Sequence, residues 1–143
     1  MREILFRGKT PSQDKHFDDG EWVQGFYTCF NGKEHRIYSG YSETDCGDYY
    51  PDWCNVRPET VGRYTGLTDK NGKKIFEGDI VEYARDEEIG EIAYHESEAM
   101  FVVEFDTWLT DFDHMYGKDL EVIGNIHDTP ELLRTPKNDE VRE

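Results

Sequence analysis

The sequence predicts a mainly β fold with one short helix near its C-terminus. Three observations carry this. Short runs such as Gly90-Glu91-Ile92-Ala93-Tyr94 and Met100-Phe101-Val102-Val103-Glu104-Phe105 alternate apolar with polar or small residues, the period of a half-buried strand. Turn chemistry separates such runs: Asn31-Gly32 and Asp69-Lys70-Asn71-Gly72 offer residues that tolerate positive φ. Only Thr129-Pro130-Glu131-Leu132-Leu133 carries helix-start chemistry, with a capping hydroxyl, a proline at the first helical position and an acid near the positive helix end.

Taken in order, Glu3-Ile4-Leu5-Phe6 reads as a first strand and Arg7–Ser12 as a loop. Residues 21–30 are aromatic and β-branched without a helical period, so they read as a strand. Asn31-Gly32 turns the chain into a return strand at His35-Arg36-Ile37-Tyr38. Residues 39–55 are rich in Gly, Ser, Asp and Tyr and include Pro51, which argues for an irregular loop. Residues 58–66 are extended, and Lys73–Phe76 follows the second turn. Ile80–Ala84, Gly90–Tyr94, Met100–Phe105 and Leu120–Gly124 complete the series. Short strands at this spacing suggest a small barrel or sandwich. Val81, Tyr83, Ile92, Phe101, Val103 and Val122 are the expected core of its later part. Pro136 ends the short helix, and residues 135–143 read as a flexible polar tail.

Composition narrows the function classes. The chain of 143 residues is one domain's worth, or two small lobes. Charged residues make up 34% and mean hydropathy is −0.87, with no run near the roughly 18–20 apolar residues a bilayer span needs. Met1–Arg7 is too short an apolar stretch for a secretory signal. A cytoplasmic protein without membrane partners is expected. Cys29, Cys46 and Cys54 are an odd number without a Cys-x-x-Cys pair, which predicts three reduced thiols; a zinc site with His35 is the alternative, although the spacing is not that of a zinc finger or ribbon.

The net charge of −16 is unevenly placed. Residues 1–75 hold 12 acids and 11 bases, whereas residues 76–113 hold 13 acids and one base, Arg85. Such a block repels phosphate, so direct nucleic-acid binding is not expected. It is either a solubilising surface or an acidic face, carried by Glu82, Glu87, Glu88, Glu91 and Glu104, that docks on a basic protein.

Few residues suggest chemistry. Asp106, Asp111, Asp113 and His114 form the most site-like cluster, since carboxylate oxygens and one imidazole could hold Mg²⁺ or Mn²⁺; a solvated acidic loop is the plainer explanation. Asp69-x-Asn71-Gly72 hints at calcium but lacks the EF-hand spacing and its terminal Glu. No Gly-x-Ser-x-Gly, Walker or dinucleotide glycine motif occurs. Trp22, Phe26 and Tyr27 could stack bases on an open sheet, but they are expected in the core. No cofactor and no catalytic residues are expected.

Three stretches resemble the YopX family of phage and prophage proteins. They are Phe6-Arg7-Gly8-Lys9 with Gly20-Glu21-Trp22-Val23 and Gly25; the long run from Thr60 to Val81 that contains Tyr64-Thr65-Gly66-Leu67-Thr68-Asp69-Lys70-Asn71-Gly72 and Phe76-Glu77-Gly78-Asp79; and Glu121-Val122-Ile123-Gly124-Asn125-Ile126 with Pro130-Glu131-Leu132. Arg63 departs from the neutral polar residue expected there, and residues 31–57 and 106–118 match nothing in the pattern. The resemblance implies an N-terminal β lobe over residues 1–58, a C-terminal SH3-like β barrel with its short helix over residues 59–134, and a source in phage-derived genomes of Gram-positive bacteria. It implies no established activity. Gly66, Gly72, Gly78 and Asp79 read as structural, with Asp79 positioned to bond nearby backbone N–H groups. The function expected is that of a phage accessory protein, non-enzymatic, acting by protein–protein contact and forming a homo-oligomer to cover its strand edges. The alternatives are an acidic DNA mimic that inhibits a nucleic-acid-binding protein, and a metal-dependent enzyme built on residues 106–114.

Overall fold

A computed structural model describes residues 3–11, 20–83, 88–105, 109–111 and 118–133. The chain is mainly β, in two antiparallel sheets, and divides into two compact units, Met1–Tyr64 and Thr65–Glu143.

The first unit holds β1 (Phe6–Lys9), β2 (Trp22–Phe30), β3 (Glu34–Glu43), β4 (Tyr49–Asn55) and the start of β5 (Arg57–Thr68), in the spatial order β4-β3-β2-β1-β5. The first strand therefore lies at Phe6–Lys9, not at Glu3–Phe6. These polar-looking residues form a strand because β1 is central and pairs with both β2 and β5. Gly8 suits the site, since a Cβ there would stand 3.0 Å from both Ile37 and Val56. Arg7 is buried, with its guanidinium 4.7 Å over the Trp22 ring. Lys9 N–H donates to Thr60 Oγ1 at 2.8 Å, and Glu21 N–H donates to Thr10 Oγ1 at 2.8 Å. Ile37 and Val56 are the buried apolar centre.

The Asn31-Gly32 turn is present. Both residues have positive φ, 55° and 69°, and Lys33 N–H closes the turn on the Phe30 carbonyl at 2.9 Å. The return strand runs on to Glu43, and residues 49–55, expected as irregular loop, form β4 along it with Tyr41 opposite Pro51. Pro51 is tolerated because β4 is the edge of the sheet, where one row of backbone groups needs no partner strand.

The second unit holds the end of β5, β6 (Lys74–Phe76), β7 (Asp79–Tyr83), β8 (Glu88–His95), β9 (Met100–Phe105), β10 (Leu109–Asp111), β11 (Leu120–Asn125) and a 3₁₀ helix at Pro130–Leu133. β6 lies beside β5; the other five strands form a sheet in the order β10-β9-β8-β7-β11. Ile75, Val81, Ile92, Phe101, Val103, Phe105 and Leu120 form its core, with Tyr83 and Val122 packed against it, so all six expected core residues are there. Closure of a barrel is not found among the described residues, where no ladder joins β10 to β11. Alternation selects the buried face of a strand but does not fix which strands meet at the edges.

The short helix is a single 3₁₀ turn with no fully buried residue. The Thr129 hydroxyl is turned back to Asn125, 3.2 Å from both its N–H and its carbonyl oxygen, so it closes the turn after β11. Leu132 lies close against Gly124, where an added Cβ would stand 2.8 Å from its Cδ1.

Two buried carboxylates fix the turns of this unit. Asp79, 1% exposed, accepts the Phe76 N–H at 2.7 Å. Asp69, 5% exposed, accepts the N–H groups of Asn71 and Lys73 on one oxygen, at 2.8 and 2.9 Å, and that of Val122 on the other at 3.0 Å. Gly72 takes φ 85° there and donates to the Asp69 carbonyl at 3.0 Å, which a residue with a Cβ would do under strain. Burial alone would raise the Asp69 pKa; the Val122, Lys73 and Asn71 N–H donors and the Lys73 charge outweigh it, and the carboxyl titrates below its ordinary value.

Candidate functional site

Strand alternation sorts β2, β3 and β4 into two faces. Tyr27, Ile37 and Cys54 stand opposite one another on the buried side, continued by Cys29 and His35 toward the hairpin end. Phe26, Tyr38 and Trp53 stand opposite one another on the other side, which Phe30, Tyr41 and Tyr49 extend. This second face is exposed: Phe26 is 64% accessible, Tyr41 75% and Tyr49 71%, with Phe30 and Trp53 near 40%. Phe26 was expected in the core and is instead among the most exposed large apolar residues, because β2 gives its other side to the core. Trp22 and Tyr27 are half-buried.

Arg36 lies at the centre of this face. Its guanidinium carbon is 3.8 Å from the centroid of Trp53 and 4.5 Å from that of Phe30, stacking that exploits the negative ring faces. Its terminal nitrogens reach Tyr38 Oη and a Glu34 carboxyl oxygen, each at 3.4 Å. Tyr38 and Trp53 are tilted against each other with centroids 6.4 Å apart. The face is an aromatic sheet with one cation held flat against it. Exposed apolar patches of this kind mark interaction sites, and Tyr, Trp, Phe and Arg are the residues enriched in protein interfaces. The signal in the sequence that points to this face is the i, i+2 spacing of Phe26, Thr28 and Phe30; reading residues 39–55 as an irregular loop hid the partners Tyr41, Tyr49 and Trp53.

The acidic residues are only partly brought together. Glu91 stands opposite Glu104, and Glu82 opposite Glu121, on the sheet face away from the core of the second unit. Glu88 pairs with Tyr83 and so belongs by alternation to the core side; Glu87 lies outside the described residues. His95 Nε2 is 2.7 Å from Glu104, and Lys70 Nζ is 3.3 Å from Glu121. Burial, and then the Glu104 charge, raise the Glu91 pKa. A folded-state pKa above the unfolded one means the native protein holds the extra proton, so this group's stability contribution is lost as pH rises through the folded value. We therefore expect Glu91→Gln to stabilise the protein at pH 7 by about 0.2–1 kcal/mol, the scale of a like-charge cross-strand pair, and the gain to vanish at pH 4. Urea titrations at both pH values check this; a loss of stability at pH 7 would contradict it.

For the metal candidate, Asp106, Asp113 and His114 lie outside the described residues, and of Asp111 only its backbone place in β10 is described. Among the described residues no group of three or more His, Cys, Asp or Glu is placed to hold a metal ion. Cys29, Cys46 and Cys54 are not joined in disulfides. No helix among the described residues is long and apolar enough to cross a membrane.

No curated protein matches the chain. Among solved structures it is similar to protein EF1440 from Enterococcus faecalis, with 26% identity and a TM-score of 0.59 over 93% of this chain and 99% of that one. The YopX protein family matches residues 6–134, which takes in both units from β1 to the end of the 3₁₀ turn, and the chain belongs to that family.

Proposed function

We propose that this protein is a non-enzymatic phage or prophage accessory protein of the bacterial cytoplasm that works by protein–protein contact, first of all with a second copy of itself through the aromatic face of β2, β3 and β4. In this reading the second unit is a partly open SH3-like barrel that serves as scaffold. The observation that carries the reading is the exposed set of Phe26, Phe30, Tyr41, Tyr49 and Trp53 around Arg36. A copy of the same chain suits the face because it carries both signs of charge. Glu34 and Glu43 share it with Arg36 by alternation, so a two-fold axis through it can set each Arg36 near the other copy's acids.

Light scattering at micromolar concentration tests this. The wild type is expected to have a mass that is a multiple of 16.8 kDa. Trp53→Ser, at an aromatic anchor of the kind worth about 2 kcal/mol or more, should weaken association thirtyfold or more. A purely monomeric wild type would overturn the proposal.

A second reading is favoured by the placement of Glu82, Glu91, Glu104 and Glu121 on one sheet face. Carboxylates held opposite one another cost stability and make a surface suited to a basic protein, including one that normally binds DNA. Such a partner's affinity would fall steeply with salt, chiefly through its on-rate, and further with Glu82→Gln, Glu91→Gln and Glu104→Gln together. A metal-dependent activity at Asp106, Asp111, Asp113 and His114 is the third possibility, and tight binding of Mn²⁺ would favour it.

A further inference from the structure

On the side of β2 and β3 opposite the aromatic face, three groups of different chemistry meet. Cys29 and His35 are directly opposite across the two strands, with Sγ 4.0 Å from Nε2. The other ring nitrogen, Nδ1, is 2.6 Å from Tyr27 Oη. Tyr27 is fixed in turn by Phe6, whose ring centroid is 5.8 Å away. The order is that of an activated nucleophile: a thiol, a base, and a third group that orients the base. With His35 in the tautomer whose Nδ1–H donates to the Tyr27 phenol oxygen, the Nε2 lone pair faces Sγ and can take the thiol proton, leaving a thiolate beside an imidazolium. Burial, and then the Cys29 charge, raise the Tyr27 pKa, so the phenol stays neutral and keeps its proton. Cys29 is itself exposed, so a small electrophile can reach it.

We infer that Cys29 is a reactive thiol, activated by His35 and Tyr27, that undergoes thiol–disulfide exchange with low-molecular-weight disulfides. The Cys29 thiolate attacks one sulfur of the disulfide. A new S–S bond forms to Cys29, the old S–S bond breaks, and the other half leaves as a thiolate that takes the proton held by His35. Cys29 is oxidised and the released half is reduced, so no other oxidant is needed. The site lies on the face opposite the proposed association surface and does not depend on it.

The test is iodoacetamide alkylation of the full-length protein across pH 5–9, followed residue by residue by mass spectrometry, with Cys46 as the exposed internal reference. Cys29 should react at least tenfold faster than Cys46 at pH 6.5. His35→Gln should remove that advantage and leave Cys46 unchanged, while Tyr27→Phe should remove part of it. Incubation of the wild type with oxidised glutathione should then place a mixed disulfide on Cys29 ahead of Cys46. Equal rates for Cys29 and Cys46 in the wild type would overturn the inference whether or not the variants fold. So would an unchanged Cys29 rate in folded His35→Gln. Fast alkylation without mixed-disulfide formation would overturn the exchange step.

Discussion

Asp69→Ala is expected to destabilise the protein by about 3–5 kcal/mol. The substitution removes three hydrogen bonds to an ionised carboxylate, from the part-buried N–H groups of Asn71, Lys73 and Val122, each worth about 1.5–3 kcal/mol and less where water can replace the carboxylate. Nearby bonds depend on the same turn: Asp69 N–H donates to the Lys73 carbonyl at 2.8 Å and Lys70 N–H to the Leu120 carbonyl at 2.9 Å. Asp69→Asn should lose about half as much, since one oxygen remains while the new amide NH₂ meets a donor. The pH dependence has a definite sign. A carboxyl whose folded pKa is lowered stabilises the fold above its unfolded value of about 3.9, and that contribution is lost as pH falls through the folded value. The Asn variant should therefore differ most from wild type at neutral pH and least in acid. Urea unfolding at pH 7 and pH 3 measures both; a loss under 1 kcal/mol for Asp69→Ala at pH 7 would contradict the role given to this carboxylate.

Gly25→Ala is expected to cost about 3 kcal/mol or more, at the upper end for inserting one carbon into a packed site. At Gly25, β2 changes partners: Gly25 itself pairs with Phe6 of β1, and Phe26 pairs with Tyr38 of β3. A Cβ at Gly25 would stand 2.0 Å from the Tyr38 carbonyl oxygen and 2.7 Å from its carbon. Those are backbone atoms of a paired strand, so relief requires β2 and β3 to separate. Gly40→Ala is the control, since a Cβ there meets nothing within 4 Å. The thermal midpoint of Gly25→Ala should fall well below that of Gly40→Ala; equal midpoints would show that the close approach is not needed.

The legible parts of the fold were those with local causes. Asn31-Gly32 and Asp69–Gly72 announce their turns because the residues that tolerate positive φ are consecutive in sequence. The core of the second unit followed from alternation at Val81, Ile92, Phe101 and Val103, since one side of each strand is apolar. What escaped was set at a distance. β1 is a strand because two partners flank it, a fact that Arg7-Gly8-Lys9 does not display. β4 is a strand because β3 lies beside it and its other edge is open, which makes Pro51 harmless. The grip of Asp69 on Val122, 53 residues away, has no local signature. Phe26 was misplaced for a related reason: an aromatic residue signals a strand, but only the pairing with Tyr38 and Trp53 shows which face it occupies.

Self-association through the face built from Phe26, Tyr38, Tyr41, Tyr49 and Trp53 around Arg36 requires that association be lost when two of its aromatic anchors are removed. Sedimentation velocity over a hundredfold concentration range, on the wild type and on Phe26→Ser/Trp53→Ser, measures this. The wild type should shift to a faster-sedimenting species with rising concentration, while the folded double variant should remain a monomer throughout. Identical profiles for the two proteins, whether both monomeric or both associated, would contradict it.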